Sequence, residues 1–267
     1  MRRALDELDR TRIGQRPQPL AADQHLVDAA EARTARLVHS HTLADRYAGL
    51  AEHPFERRGV DAVLRVLDIA FAGVILLVAS PALALLAGLV ALTSGRPVLY
   101  RGPRVGRAGR IFTMYKLRTL RPDAEERIGH LQDVALDAST TSEHTRVGRV
   151  LRATQLDELP QLYNVLRGDM SIVGPRPIRP IFFEQLSQEL PQYWQRLVAR
   201  PGLTGFAQLR MRRDMTWGEK LAHDLEYLAD RSVPLYMRMI GETSVRILGR
   251  VLREVPAALA GRGGPAA

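Results

Sequence analysis

The sequence predicts an α/β, predominantly helical protein built around a membrane helix that breaks at its middle, with a small strand region and amphipathic helices suited to a membrane surface. Three observations carry this. Ile69 to Leu92 is apolar throughout, with Ser80 its one clearly polar side chain. Pro97 to Leu120 places β-prone residues around a glycine-rich basic turn, and beyond it apolar residues recur at helical spacing.

Composition narrows the chemistry. The 267 residues carry 38 Lys+Arg against 29 Asp+Glu, a formal charge of +9, which excludes an acidic buffer or an acidic partner mimic. Cysteine is absent, so disulfide frameworks, thiolate zinc sites, redox dithiols and cysteine nucleophiles are all excluded. Any reaction must use oxygen and nitrogen groups. A hydrophobic share of 46% is enough for one or two ordinary cores.

Residues 1–58 read as an accessory region. Arg2, Arg3, Arg10, Arg12 and Arg16, with Pro17 and Pro19, form a basic leader that reads as flexible. A helical stretch from Ala21 to Leu50 follows, with Leu26, Val27, Ala30, Leu37 and Val38 on one face; His39 and His41 near its end lack the further ligands a metal site needs.

Residues 59–95 form the membrane segment. At about 1.5 Å per residue, a straight helix over Ile69–Leu92 is about 36 Å long, against a bilayer core of about 30 Å. It lies too far from the N-terminus, behind charges of both signs, to read as a signal peptide. Ser80-Pro81 predicts a break, since proline removes a backbone donor and clashes with the preceding turn. Arg57, Arg58 and Arg65 precede the run, and Arg96, Arg101, Arg104, Arg107 and Arg110 follow it. The positive-inside rule then favours both ends on the cytoplasmic side. A re-entrant hairpin satisfies both flanks, while charge alone leaves a simple span open.

Residues 96–255 read as one domain after the membrane segment and 256–267 as a disordered tail. Pro97–Leu120 predicts two short strands joined by a loop from Gly102 to Arg110. Arg104, Arg107, Arg110, Lys116 and Arg118 gather cations there, as an oxyanion-rich ligand requires. Arg121 to Arg146 is polar and reads as a surface excursion.

The segment from Arg146 to Pro180 is chemically the richest. Asp157 and Glu158 are expected at the head of a short helix with Pro160 in its first turn, Leu159, Leu162, Tyr163 and Leu166 as apolar positions and Gly168 past its end. Acids there cap a helix whether or not they do chemistry. Adjacent side chains point in different directions, however, so the two carboxylates would serve different partners, and helix amides are expected to keep a carboxylate ionised and nucleophilic. Gly174-Pro175-Arg176-Pro177 then fixes a guanidinium between prolines, with Arg179 two residues on, an arrangement suited to phosphate. A rigid cation beside paired carboxylates points to phosphoryl chemistry with a hard divalent ion such as Mg²⁺.

These landmarks resemble the bacterial sugar transferase family, the monotopic phosphoglycosyl transferases. The match runs from about Val63 to Leu252: the apolar segment with Ser80-Pro81, then Tyr115-Lys116-Leu117-Arg118, Leu156-Asp157-Glu158-Leu159-Pro160-Gln161-Leu162, Gly168-Asp169-Met170-Ser171-Ile172-Val173-Gly174-Pro175-Arg176-Pro177, and Arg200-Pro201-Gly202-Leu203-Thr204-Gly205. The resemblance implies a re-entrant segment in the inner (cytoplasmic) membrane, a catalytic domain facing the cytoplasm, and transfer of a sugar-1-phosphate from a UDP-sugar donor to polyprenyl phosphate. It implies Asp157 as nucleophile, Glu158 as its partner with Mg²⁺ held by both, and Lys116, Arg152 and Arg176 as neutralisers of phosphate charge; Arg104 and Arg118 of the cation-rich hairpin, with Gln208, are the further substrate-binding candidates. The chain departs from the pattern at Gly102, where glutamine is usual, at Phe206 in place of tryptophan, at Arg210-Met211-Arg212-Arg213 in place of Asn-Gly-Arg, and near Tyr236, where aspartate is common.

Two later stretches read as basic amphipathic helices for membrane lipid: Phe182, Phe183, Leu186, Leu190, Tyr193, Trp194 and Leu197 beside Arg196 and Arg200, and Leu235, Met239, Val245, Leu248, Val251 and Leu252 beside Arg238, Arg246, Arg250 and Arg253. Packing on the protein's own core is the alternative for each; Trp194 and Trp217 are interface candidates. A homo-oligomer is allowed, and no nucleic-acid module is present, so nucleic acid is not expected as a partner. A membrane-tethered scaffold and a nucleotide-sugar hydrolase are the competing functions; nucleotide release excludes the first, and dependence on a lipid acceptor excludes the second.

Overall fold

The computed structural model describes residues 59–121, 124, 143–212 and 215–259. The accessory region 1–58, most of the polar excursion after Arg121 and the last residues of the tail lie outside them.

Helix α1, Gly59–Ser94, is the long apolar element. Among the described residues it is the one helix long and apolar enough to cross a membrane, and only 6% of its most apolar window is buried. Leu77 and Val78 are 75% exposed and Leu92 is 87% exposed, so this is not the core helix of a water-soluble domain. Helical backbone continues on both sides of Pro81, with no non-helical residue between the two halves. Proline at this position deprives the Leu77 carbonyl of its amide, and the Ser80 hydroxyl donates to that carbonyl at 2.8 Å instead. One turn's missing donor is thus replaced from within the same helix.

The N-terminal turns of α1 are tied to the rest of the protein. Leu64 and Ala72 join the main core with Phe112, Met114, Leu162, Val165, Met170, Tyr227 and Met239. Arg65 donates to the carbonyls of Val165 and Leu166 at 2.7 and 3.0 Å. Asp68, buried, accepts from Ser171 Oγ, the Ile172 amide and the Tyr236 hydroxyl at 2.9, 2.8 and 2.8 Å.

Strands β1, Leu99–Val105, and β2, Ile111–Leu117, pair antiparallel with Tyr100 opposite Lys116 and Arg104 opposite Phe112. The strands are longer than expected, so Gly102 and Arg104 lie within β1 and the basic turn shrinks to Gly106–Arg110. Period-two alternation then puts Tyr100, Gly102, Arg104 and Lys116 on one face.

Helix α2, Arg146–Thr154, starts at Thr145, whose side chain accepts from the Gly148 amide. A Cβ at Gly148 would lie 1.9 Å from the Thr119 carbonyl oxygen, so only glycine lets α2 approach the end of β2 this closely. After α2 comes a short 3₁₀ turn, Leu156–Glu158, and then α3, Gln161–Arg167, which ends at Gly168 with φ of 93°. Strand β3, Ser171–Val173, pairs in parallel with β4, Gly202–Thr204.

Between these strands lie α4, Pro180–Glu189, and a 3₁₀ segment, Pro191–Val198. Phe182, Phe183, Leu186, Tyr193 and Leu197 are buried in a second core with Val105 and Leu221, and Trp194 and Trp217 pack against it. That corrects the membrane-surface reading of this stretch: its apolar stripe faces the protein, and Pro191 ends the helix. Helices α5, Phe206–Leu209, α6, Trp217–Asp230, and α7, Val233–Leu259, complete the described chain. Helix α7 runs past the expected boundary at 255. Tyr236 and Met239 are buried near its start, whereas Val245, Leu248 and Leu252 are exposed beyond.

Candidate active site

The turn that carries the carboxylate pair differs from expectation. Asp157 and Glu158 stand in the 3₁₀ turn before α3, and Pro160 occupies the cap position with no side-chain cap bond. The turn is entered through Gln155 in the left-handed region at φ 61°, a conformation uncommon for a side chain of this size. This reversal turns Asp157 inward. It is fully buried, and neither carboxylate oxygen has a hydrogen-bond partner.

Electrostatics follow from that placement. Burial pushes the Asp157 carboxyl up to about 6, the Glu158 charge pushes the same way, and Lys116 and Arg152 oppose both. The expectation that helix amides hold this carboxylate low is therefore corrected: desolvation and the Glu158 charge outweigh the cations and the downward pull of its own backbone amide. Lys116 shows the complementary effect. Burial first and then Arg152 bring its ammonium down to about 8, while Asp157 and Glu158 pull it up.

Two structural devices hold this group together. Asn164 on α3, fully buried, accepts from the Tyr115 amide at 3.1 Å and donates to the Thr113 carbonyl at 2.8 Å. Its amide thus behaves like one residue of a neighbouring strand on the open edge of β2, which docks α3 beside Lys116. The close contact at Gly148 does the same for α2 and Arg152. Asn164 was not picked out by sequence reasoning, since an asparagine inside a short helix carries no local sign of a strand edge to satisfy.

The cations extend from this point. Arg104, buried on the Lys116 face of β1, has its charge disfavoured mainly by burial, with Arg179 and Arg176 adding to the effect. No carboxylate pairs with Arg104 or Arg176 among the described residues. Arg176 sits in a loop fixed on two sides: the Gly202 amide donates to the Pro175 carbonyl at 2.8 Å and the Val105 amide to the Ile178 carbonyl at 2.9 Å. Arg196 donates to the Arg176 carbonyl at 2.7 Å and pairs with buried Asp224 at 2.8 Å. Arg196 was assigned by sequence to a membrane face, and its partner lies on a different helix. A shallow, open cleft lies here, bounded by Gly106, Pro175, Arg176, Arg196 and Pro201.

The remaining predicted residues fall elsewhere. The Arg118 guanidinium donates to the carbonyls of Ser94 and Gly95, so it closes the C-terminal end of α1 rather than joining the cluster. Gln208 lies on α5 against Gly205, with both amide atoms buried and without partners. Among the described residues there is no group of three or more His, Asp or Glu suited to a metal. Asp157 and Glu158 nevertheless fit a hard divalent ion: they offer oxygen donors, two of them buried and unpartnered, and such ions commonly take the rest of their shell from water and substrate phosphates.

A buried carboxylate with no partner, faced by an ammonium and a guanidinium, is an arrangement for attack on or coordination of a phosphate-bearing ligand. Comparisons agree in kind. The family model for bacterial sugar transferase matches residues 60–250. A "UDP-glucose:undecaprenyl-phosphate glucose-1-phosphate transferase" of Caulobacter vibrioides is 40% identical over 213 residues, covering 77% of this chain and 73% of that protein. A "Putative undecaprenyl-phosphate N-acetylgalactosaminyl 1-phosphate transferase" of Bacillus subtilis is 39% identical, covering 66% and 87% respectively. An "Exopolysaccharide production protein PSS" of Rhizobium leguminosarum is 39% identical, covering 72% and 98%. With this match across the apolar helix, the hairpin, the Asp157 turn and the Arg176 loop, the chain belongs to the bacterial sugar transferase family.

Proposed function

We propose that this protein transfers a sugar-1-phosphate from a UDP-sugar to a polyprenyl phosphate of the undecaprenyl class, the first step of a glycan's assembly on its lipid carrier. The observation that carries the reading is Asp157: a buried carboxylate with both oxygens free, facing Lys116 and Arg152. In the first step an Asp157 oxygen attacks the sugar-linked phosphorus of the donor. A new O–P bond forms, the bond from that phosphorus to the bridging oxygen breaks, and UMP leaves with that oxygen. In the second step a phosphate oxygen of the lipid attacks the same phosphorus, the bond to Asp157 breaks, and the carboxylate is regenerated as the diphosphate-linked sugar departs.

Lys116, Arg152, Arg104 and Arg176 offset charge on the phosphates, which buried and half-buried cations do more strongly than fully exposed ones. Asp157 and Glu158 would hold Mg²⁺, which when bound supplies Lewis-acid stabilisation of the donor diphosphate. Helix α1 enters and leaves by the cytoplasmic side of the inner membrane, as the arginines at both flanks favour, and so brings a long apolar acceptor to a polar site. The test is UMP release by purified protein in nanodiscs with polyprenyl phosphate, Mg²⁺ and a panel of UDP-sugars. Release that requires lipid and is lost in Asp157→Asn supports the reading; release without lipid points to a hydrolase, and silence across the panel overturns it.

A further inference from the structure

The hairpin face that carries Lys116 and Arg104 has a gap in it. Gly102 stands between Tyr100 and Arg104 on that face, and the Tyr100 ring occupies its space. A Cβ at Gly102 would lie 2.1 Å from the Tyr100 hydroxyl oxygen and 2.5 and 2.8 Å from ring carbons, far inside contact distance. The ring therefore takes this position only because residue 102 has no side chain. From there it meets the Lys116 ammonium, which lies over the ring at 5.1 Å from its centroid, and it shares its face of the hairpin with Arg104, two residues beyond Gly102, whose guanidinium donates to the Pro103 carbonyl at 2.7 Å. Arg104 and Lys116 repel each other, and neither Arg104 nor Tyr100 brings a carboxylate into the pair.

We propose that Tyr100, admitted by Gly102, is a positioning residue that holds Lys116 and Arg104 side by side for the diphosphate of the donor. The proposal rests on the transferase reading above. An aromatic ring suits the task because it attracts a cation over its face without neutralising it. A carboxylate in the same place would tie the cations together but cancel the charge that the phosphates need. Glycine at 102 is, on this account, a property of the site and not of the turn, since the turn begins only at Gly106.

The experiment is a double-mutant cycle on the full chain in nanodiscs, with Gly102→Ala, Tyr100→Leu and the double variant, plus Tyr100→Phe. Donor KM and kcat come from UMP release, and UDP affinity from calorimetry gives a readout independent of turnover. Tyr100→Leu should raise donor KM and weaken UDP by about tenfold with kcat nearly unchanged, and Tyr100→Phe, which keeps the ring under Lys116, should change either by less than about threefold. Gly102→Ala should match the tenfold loss in the Tyr100 protein yet add nothing in the Tyr100→Leu background, because its whole effect is to expel the ring. Melting temperatures of all four serve as the folding control. Gly102→Ala without effect, additive losses, or a fall in kcat at unchanged KM overturns the proposal while leaving the transferase reading intact. A wild-type protein that neither releases UMP nor binds UDP overturns the reading, and this proposal with it.

Discussion

At the scale of single residues, the site is a set of charges kept short of partners. Asp157 is ionised at neutral pH at a cost, because burial and Glu158 raise its carboxyl to about 6 from the ordinary 3.8. A folded-state value above the unfolded one means that ionisation destabilises the protein: the cost is fully present above about pH 6 and is relieved as pH falls toward 4. Asp157→Asn should therefore abolish UMP release and raise stability at pH 7.5 by about 1–3 kcal/mol, since a tenfold change in proton affinity corresponds to about 1.4 kcal/mol. Thermal melts of both proteins at pH 7.5 and pH 4.5 check this; the difference should shrink at the lower pH. The same two groups set a pH window for turnover. Donor kcat/KM should rise as Asp157 ionises near 6 and fall as Lys116 loses its proton near 8. In Lys116→Arg the alkaline fall should vanish, since guanidinium stays charged, even if the maximum is lower.

At the scale of elements, the geometry of the site depends on how α2 and α3 meet the hairpin. Asn164 gives α3 its position by satisfying two backbone groups on the edge of β2. Asn164→Ala removes both bonds and leaves the half-buried Tyr115 amide and the Thr113 carbonyl without that partner, a loss of about 1–3 kcal/mol, and lets the Asp157 turn shift relative to Lys116. Turnover should fall by about 10–100-fold with a smaller change in UDP affinity, which calorimetry beside UMP release will separate. The hairpin itself was readable in the sequence, because alternation and a glycine-rich turn are local signals. Its strand ends were not, and so Gly102 and Arg104 moved from the expected loop onto the face that bears Lys116.

At the scale of the whole molecule, α1 is both a membrane element and a part of the core. Its first turns reach α3, β3 and α7 through Arg65 and Asp68, while its later turns expose leucine and valine. The chain has no cysteine, so single cysteines can report topology without background. Cysteines placed by Gly59→Cys and Arg96→Cys, at the two ends of α1, should both react with an impermeant maleimide from the cytoplasmic face in inverted vesicles. Reaction of the two from opposite faces means that the helix spans. The exposed stripe of Val245, Leu248 and Leu252 on α7 remains in keeping with a lipid-facing helix, whereas α4 and the segment after it are interior.

Local pattern was enough to reveal the apolar helix, the strand pair, the end of α3 at Gly168 and the candidate residues Asp157, Glu158, Lys116, Arg104 and Arg176, with Arg152 added by the family resemblance, because run length, alternation, turn residues and motif order are all written along the chain. Which of them converge was a matter for the tertiary structure. Arg118 went to the end of α1, Arg196 to Asp224, and the Ser80 hydroxyl to the carbonyl that Pro81 leaves bare. Whether Asp157 would hold its proton more or less tightly than usual likewise came from the fold, since a carboxylate's proton affinity is set by the water and hydrogen bonds it loses, and those depend on residues far away in sequence.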